Sequence, residues 1–128
     1  MVPDFVIAGA PKCDTTALYT YLLSYPSICM SDPKETNFFD TDIKRLLRWP
    51  ATASDYEACF THRRAGQITG EATARYLFSR EAIPTIMAKC AMLGAPRTNA
   101  GRVEGLVTIR PLSAARFARI VQLLRFVE

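Results

Sequence analysis

Lys12, Thr15 and Thr16 are the residues whose types and spacing first suggest chemistry. They stand in "PKCDTT", Pro11 to Thr16, directly after the apolar run "FVIAGA" and directly before a helical pattern. Free N–H groups at a helix start carry partial positive charge and bind phosphate-like anions. Lys12 adds a full charge there, and the two threonines add hydroxyl donors. The Walker spacing of an ATP or GTP loop is missing, because Gly9 lies three residues before Lys12 and no glycine directly precedes the lysine. Asp14 puts an acid inside the same loop. Two further polar clusters, "SDPKETNFF" and "GEATARY", contain Lys34, Glu35 and Glu71.

These clusters need elements to position them. The residues from Asp4 to Gly9 read as a buried strand, and Thr15 to Tyr25 as a helix with Leu18, Leu22 and Tyr25 on one face. Pro26 closes that helix. Ile28 to Met30 and Gln67 to Gly70 read as short strands, with Glu71 at the end of the second. Residues 31–42 read as a loop whose tip is anchored by Phe38 and Phe39. Residues 42–48 and 54–60 are candidate short helices, and "HRRAG" is a turn. Ser79 caps a helix reaching Met92, with Pro84 in its first turn. Residues 93–101 are loop-like, residues 106–110 read as a last strand, and Ser113 caps a helix over 113–126. Strands alternating with helices predict an α/β domain with a mainly parallel sheet flanked by helices. All three polar clusters follow candidate strands, and ligands of such sheets bind beyond the strand C-termini.

The bulk composition narrows the classes. At 128 residues the chain has the length of one domain, and 49% apolar with 22% charged residues is ordinary for a globular protein. The net charge of +4 favours anionic ligands. No basic run or nucleic-acid signature is present, so no nucleic-acid partner is expected. Cys13, Cys29, Cys59 and Cys90 form no CxxC pair, and His62 is the single histidine. A structural zinc site is disfavoured and reduced, buried thiols are expected. There is no long apolar stretch and no basic N-terminal leader pattern, so a cytoplasmic chain with no membrane partner is expected.

The segment "PDFVIAGAPKCDTTALYTYLLSYPSI" closely resembles the start of the sulfotransferase domain that uses 3'-phosphoadenosine 5'-phosphosulfate (PAPS). That family carries PK, any residue, GT and then threonine or serine between its first strand and helix. "KETNFF", Lys34 to Phe39, resembles the family's KExxFF segment, common in bacterial and heparan-sulfate-type members. "GEATARYLF" resembles its GE segment, with Thr73 and Tyr76 at matching positions. Three motifs in the same order, within residues 1–90, make the match specific. The resemblance implies a P-loop NTPase-like α/β fold and sulfuryl transfer to a hydroxyl or amine on a carbohydrate-like acceptor, without a metal.

Residue roles follow from the same resemblance. Lys12 is the cation at the bridging oxygen. Backbone N–H groups of Cys13, Asp14, Thr15 and Thr16, with both threonine hydroxyls, hold the 5'-phosphate. Glu35 is the candidate base, with His62 as runner-up. Lys34 contacts sulfate or pairs with an acid. Glu71 orients the loop lysine or the acceptor, or forms a structural ion pair. Phe38 and Phe39 pack the loop. Asp14 replaces the family glycine, so weakened PAPS binding is expected. The tail 91–128 diverges: "VTIRPLSAARFAR" only loosely resembles the family's 3'-phosphate segment, and Arg110 is its nearest arginine. Family domains run longer, so a single truncated domain is expected, and self-association through uncovered sheet edges. The alternatives are an inactive sulfotransferase-fold remnant and, less favoured, a P-loop nucleotide kinase.

Overall fold

The computed structural model describes residues 3–8, 15–92 and 106–108. Strands β1 (Phe5–Ile7), β2 (Ile28–Met30), β3 (Ile68–Ala72) and β4 (Leu106–Thr108) form one sheet in the order β2-β3-β1-β4. The first three run parallel, with Phe5 opposite Gly70 and Met30 also opposite Gly70 on its other side. β4 runs antiparallel on the outer side of β1. Helices α1 (Thr15–Leu23), α2 (Ala53–Ala58) and α3 (Ala82–Met92) and a 3-10 helix, Ala74–Phe78, complete the regular structure. The predicted mainly parallel α/β sheet is therefore present.

Why these stretches form strands is visible in their burial. Every residue of β1, β2 and β3 is buried, as expected for parallel strands covered on both faces. Side chains alternate between the faces. Phe5, Ile7, Ile28, Met30, Ile68 and Ala72 pack with Leu18 and Leu22 of α1. Val6, Ala8 and Cys29 face the opposite way, into a core with Tyr56, Cys59, Phe60, Tyr76 and Ile86. The Asp4 carboxylate accepts from Thr69 N at 2.7 Å and so fastens the start of β1 to β3.

Gly70 is required by its neighbour across the strands. A Cβ there would lie 2.2 Å from Phe5 Cζ, and the Phe5 ring is fully buried and has nowhere to go. Gly70→Ala is expected to destabilise the fold by about 1–3 kcal/mol. Urea unfolding checks this, and Phe5→Leu in the same chain should recover part of the loss.

The helices start where side chains satisfy their free N–H groups. Thr52 and Asp55 form a reciprocal capping box on α2. Ser79 Oγ accepts from Ala82 N at 2.8 Å and from Glu81 N at 3.1 Å, so the serine caps α3 as the sequence suggests. Pro84 falls in the first turn, where its missing N–H is harmless. Between Ser79 and the end of β3, however, the chain forms the 3-10 helix.

Residues 42–48 do not form the expected helix. The side chains of Asp42, Arg45 and Arg48 are engaged in tertiary contacts instead. Asp42 accepts from Ser79 Oγ and Arg80 N, Arg45 is paired with the fully buried Asp40, and Arg48 donates to the Phe38 carbonyl at 2.8 Å. Leu46 and Leu47, the residues a packed helix would bury, are left exposed. Residues 113–126 lie outside the described residues. No helix among the described residues is long and apolar enough to cross a membrane.

Candidate functional site

The parallel strands β2, β3 and β1 lie side by side, so their C-terminal ends open on one edge of the sheet. Lys12, Cys13 and Asp14, and also Arg110, lie outside the described residues. Their frame is described: β1 ends at Ile7, and α1 begins at Thr15 with Thr16 exposed in its first turn. The strand expected before "PKCDTT" and the helix expected after it are thus both present.

The structure brings Glu35 to this edge. Glu35 N donates to the Ala72 carbonyl at 3.0 Å, at the end of β3. One residue further on, Thr73 N donates to the Ile7 carbonyl at 3.0 Å, at the end of β1. Ala74 N then donates to Glu35 Oε2 at 3.1 Å. Glu35 therefore sits at the C-terminal end of β3, the strand next to the one from which the Lys12 segment leaves. Its other oxygen, Oε1, accepts from Lys34 Nζ at 2.7 Å, and about a third of the side chain is exposed. Of the two readings for Lys34, pairing with an acid is the one observed.

The backbone at this point is unusual. Glu35 has φ +62° and Asn37 φ +53°, both in the left-handed region that non-glycine residues seldom adopt. Such residues cost about 1–3 kcal/mol each and persist only where the surroundings hold them. Asn37 Nδ2 donates to the Glu35 carbonyl at 2.5 Å, and Arg48 holds the carbonyls of Asn37 and Phe38. Phe38 stacks on Tyr56 with ring centroids 4.6 Å apart, and Phe39 meets Tyr56 and Tyr76 edge-on. The two phenylalanines pack the loop, as their types suggest.

Glu71 is placed differently from the expectation. It is an interior residue of β3, fully buried, rather than a side chain at the strand end. Its carboxyl accepts from the hydroxyls of Tyr76 at 2.5 Å, Thr73 at 2.7 Å and Thr36 on one oxygen, and of Tyr56 at 2.5 Å on the other. Hydroxyls, and not the cation of an ion pair, are its partners among the described residues. Burial pushes the Glu71 carboxyl above its ordinary range, and the four hydroxyl donors partly offset that. The same burial, with the adjacent carboxyl, pushes the Tyr56 and Tyr76 phenols well up, so both remain donors.

His62 is exposed and its Nε2 lies 3.0 Å from the Met30 carbonyl. The same nitrogen lies 3.5 Å from Cys29 Sγ, so the imidazole is placed against β2. Cys29 and Cys59 are free and buried, as expected for reduced core thiols. Nothing in the local pattern marks Thr36, Tyr56 or Asp40 as part of the site's support. Their partners lie 35, 15 and 5 residues away in sequence, at no helical or strand period.

Chemically, the edge presents a part-exposed carboxylate, an adjacent ammonium group and the start of α1. That set suits removal of a proton from an acceptor close to a bound anion.

No family model and no curated protein matches this chain. Among solved structures, it is similar to the crystal structure of a sulfotransferase from Alicyclobacillus acidocaldarius, with a TM-score of 0.60 and 28% identity. The match covers 70% of this chain and 40% of that one, so this chain spans well under half the length of the protein it resembles. The α/β unit built around β1, β2 and β3 therefore has a sulfotransferase-like fold.

Proposed function

We propose that this edge of the sheet is a site for sulfuryl transfer from PAPS to a hydroxyl or amine of a carbohydrate-like acceptor. The acceptor oxygen or nitrogen attacks sulfur, the bond from sulfur to the phosphate oxygen breaks, and 3'-phosphoadenosine 5'-phosphate (PAP) leaves. Glu35 takes the acceptor's proton. Lys12 neutralises the charge that develops on the departing phosphate oxygen. Backbone N–H groups of residues 13–16 and the hydroxyls of Thr15 and Thr16 hold the 5'-phosphate, and Arg110 reaches the 3'-phosphate.

The observation that carries this reading is the position of Glu35, fixed by Ala72 and Ala74 at the C-terminal end of β3, the strand next to β1. The likeness to a sulfotransferase supports the chemistry. Incubation with radiolabelled PAPS and a panel of sulfate-free glycans is expected to move label onto an acceptor, more strongly with Asp14→Gly. Absence of transfer by both forms, when separate calorimetry shows that each binds PAP, would rule the activity out.

A second reading has a specific observation behind it. Asp14 places a negative charge within the loop proposed to hold the 5'-phosphate. A chain that keeps the fold but does not grip the donor would be a non-catalytic relative, and failure of Asp14→Gly to restore PAP binding would favour it.

A further inference from the structure

We propose that Glu71 is a positioning residue, whose carboxyl clamps the 34–39 loop through Thr36, Thr73 and Tyr76 so that Glu35 is presented at the sheet edge. The inference rests on the role proposed for Glu35, and extends it to a residue that touches neither donor nor acceptor.

Each link of the clamp is a contact. Thr36, directly after Glu35, donates its hydroxyl to Glu71 Oε1 and is itself fully buried. Thr73 donates to the same oxygen, while its own Oγ1 accepts from Asn37 N at 3.5 Å. Tyr76 also donates to Oε1, and its oxygen lies 3.4 Å from Phe39 N. Three hydroxyls that meet on one carboxyl oxygen thus contact the loop at residues 36, 37 and 39. Tyr56 takes the other oxygen and stacks on Phe38.

The clamp has work to do at this place. The left-handed backbone at Glu35 and Asn37 persists only where its surroundings hold it, and the clamp adds to the bonds from Asn37 Nδ2 and Arg48. A buried carboxyl is costly unless it is fully hydrogen-bonded, and a neutral residue packed against β3 would avoid that cost. Its presence is accounted for by what it organises: it lets one side chain of a rigid strand orient a loop that has no regular structure. Groups that determine a reacting carboxylate's placement affect rate more than donor affinity.

Thr36→Val removes the hydroxyl and keeps the shape, and Thr36→Ser retains it. Hydrogen exchange is expected to quicken about tenfold or more at the amides of Glu35, Asn37, Phe39 and Ala74 in Thr36→Val, with Ser31 and Thr69 in the sheet unchanged. Thr36→Ser should keep the loop protected. In the transfer assay, Thr36→Val is expected to lower kcat about tenfold with the KM for PAPS within twofold, and Thr36→Ser to restore it. Glu71→Ala should give the same pattern. Because it strands four hydroxyls and can unfold the chain, the threonine pair carries the test independently. Equal acceleration of exchange in loop and sheet, or none, overturns the clamp. If no form transfers sulfate, the proposed activity falls while the exchange pattern still decides the clamp. If transfer is seen and Thr36→Val leaves kcat unchanged, the positioning role is overturned even where the loop loosens.

Discussion

Asp14→Gly is expected to tighten PAP binding by about three decades. The estimate is electrostatic: two like charges about 4 Å apart repel by about 4 kcal/mol at an effective dielectric near 20, and each 1.4 kcal/mol is tenfold in affinity. Glycine also accepts positive φ without cost and lets a backbone come close to a phosphate. Aspartate tolerates that conformation better than most residues, so charge accounts for most of the difference. Asp14→Asn separates the two contributions. It should recover most of the affinity if charge dominates, and little if close approach does. Isothermal calorimetry with PAP measures all three chains. Tight binding by the native chain, equal to that of Asp14→Gly, would show that the Asp14 carboxylate points away from the anion.

Glu35→Gln is expected to lower the transfer rate by about a hundredfold or more while PAP affinity stays the same. A positioned general base contributes about 10²–10⁴ to rate, and glutamine cannot take a proton at neutral pH. The substitution keeps an oxygen that can accept from Ala74 N. It removes only the pairing with Lys34, on a part-exposed carboxylate. Surface pairs contribute about 0–1 kcal/mol, and this one is partly covered, so a loss near the upper end, about 1 kcal/mol, is expected. The comparison is best made with Asp14→Gly in both chains, where donor binding does not limit the rate. An unchanged rate would make Glu35 a loop acid whose function is to hold Lys34 and Ala74.

Clear local signals let several elements be read directly. Phe5–Ile7 and Ile28–Met30 are continuous apolar runs between turn residues, and they are strands. Leu18 and Leu22 share a helical face and both pack beneath the sheet. Ser79 precedes a helix and caps it. The segment 42–48 looked helical by composition and is not, because Arg45 and Arg48 turn inward to Asp40 and to loop carbonyls, which propensity cannot anticipate. The direction of β4 was equally hidden, since three residues of strand propensity read the same way parallel or antiparallel.

At the site, the order of "PKCDTT", "KETNFF" and "GEATARY" was enough to suggest one shared edge of a parallel sheet. The reason is local: each motif follows or completes a strand, and parallel strands release their loops on the same side. The roles within the motifs were not local. Lys34 and Glu35 could be read as solvated loop residues or as a site until the bonds to Ala72 and Ala74 placed Glu35 at the C-terminal end of β3. Glu71 could be read as orienting the loop lysine or the acceptor, or as an ion-pair partner, until burial and four hydroxyls made it the centre of a neutral-donor network. The sequence by itself determined most of the strands and the capped or amphipathic helices, and that an acid falls within "PKCDTT", because periodicity, caps and residue charge act over a few neighbouring positions. Only the tertiary structure decided which carboxyl faces the edge and which one holds the loop, because both depend on partners tens of residues away that meet only when the sheet is assembled.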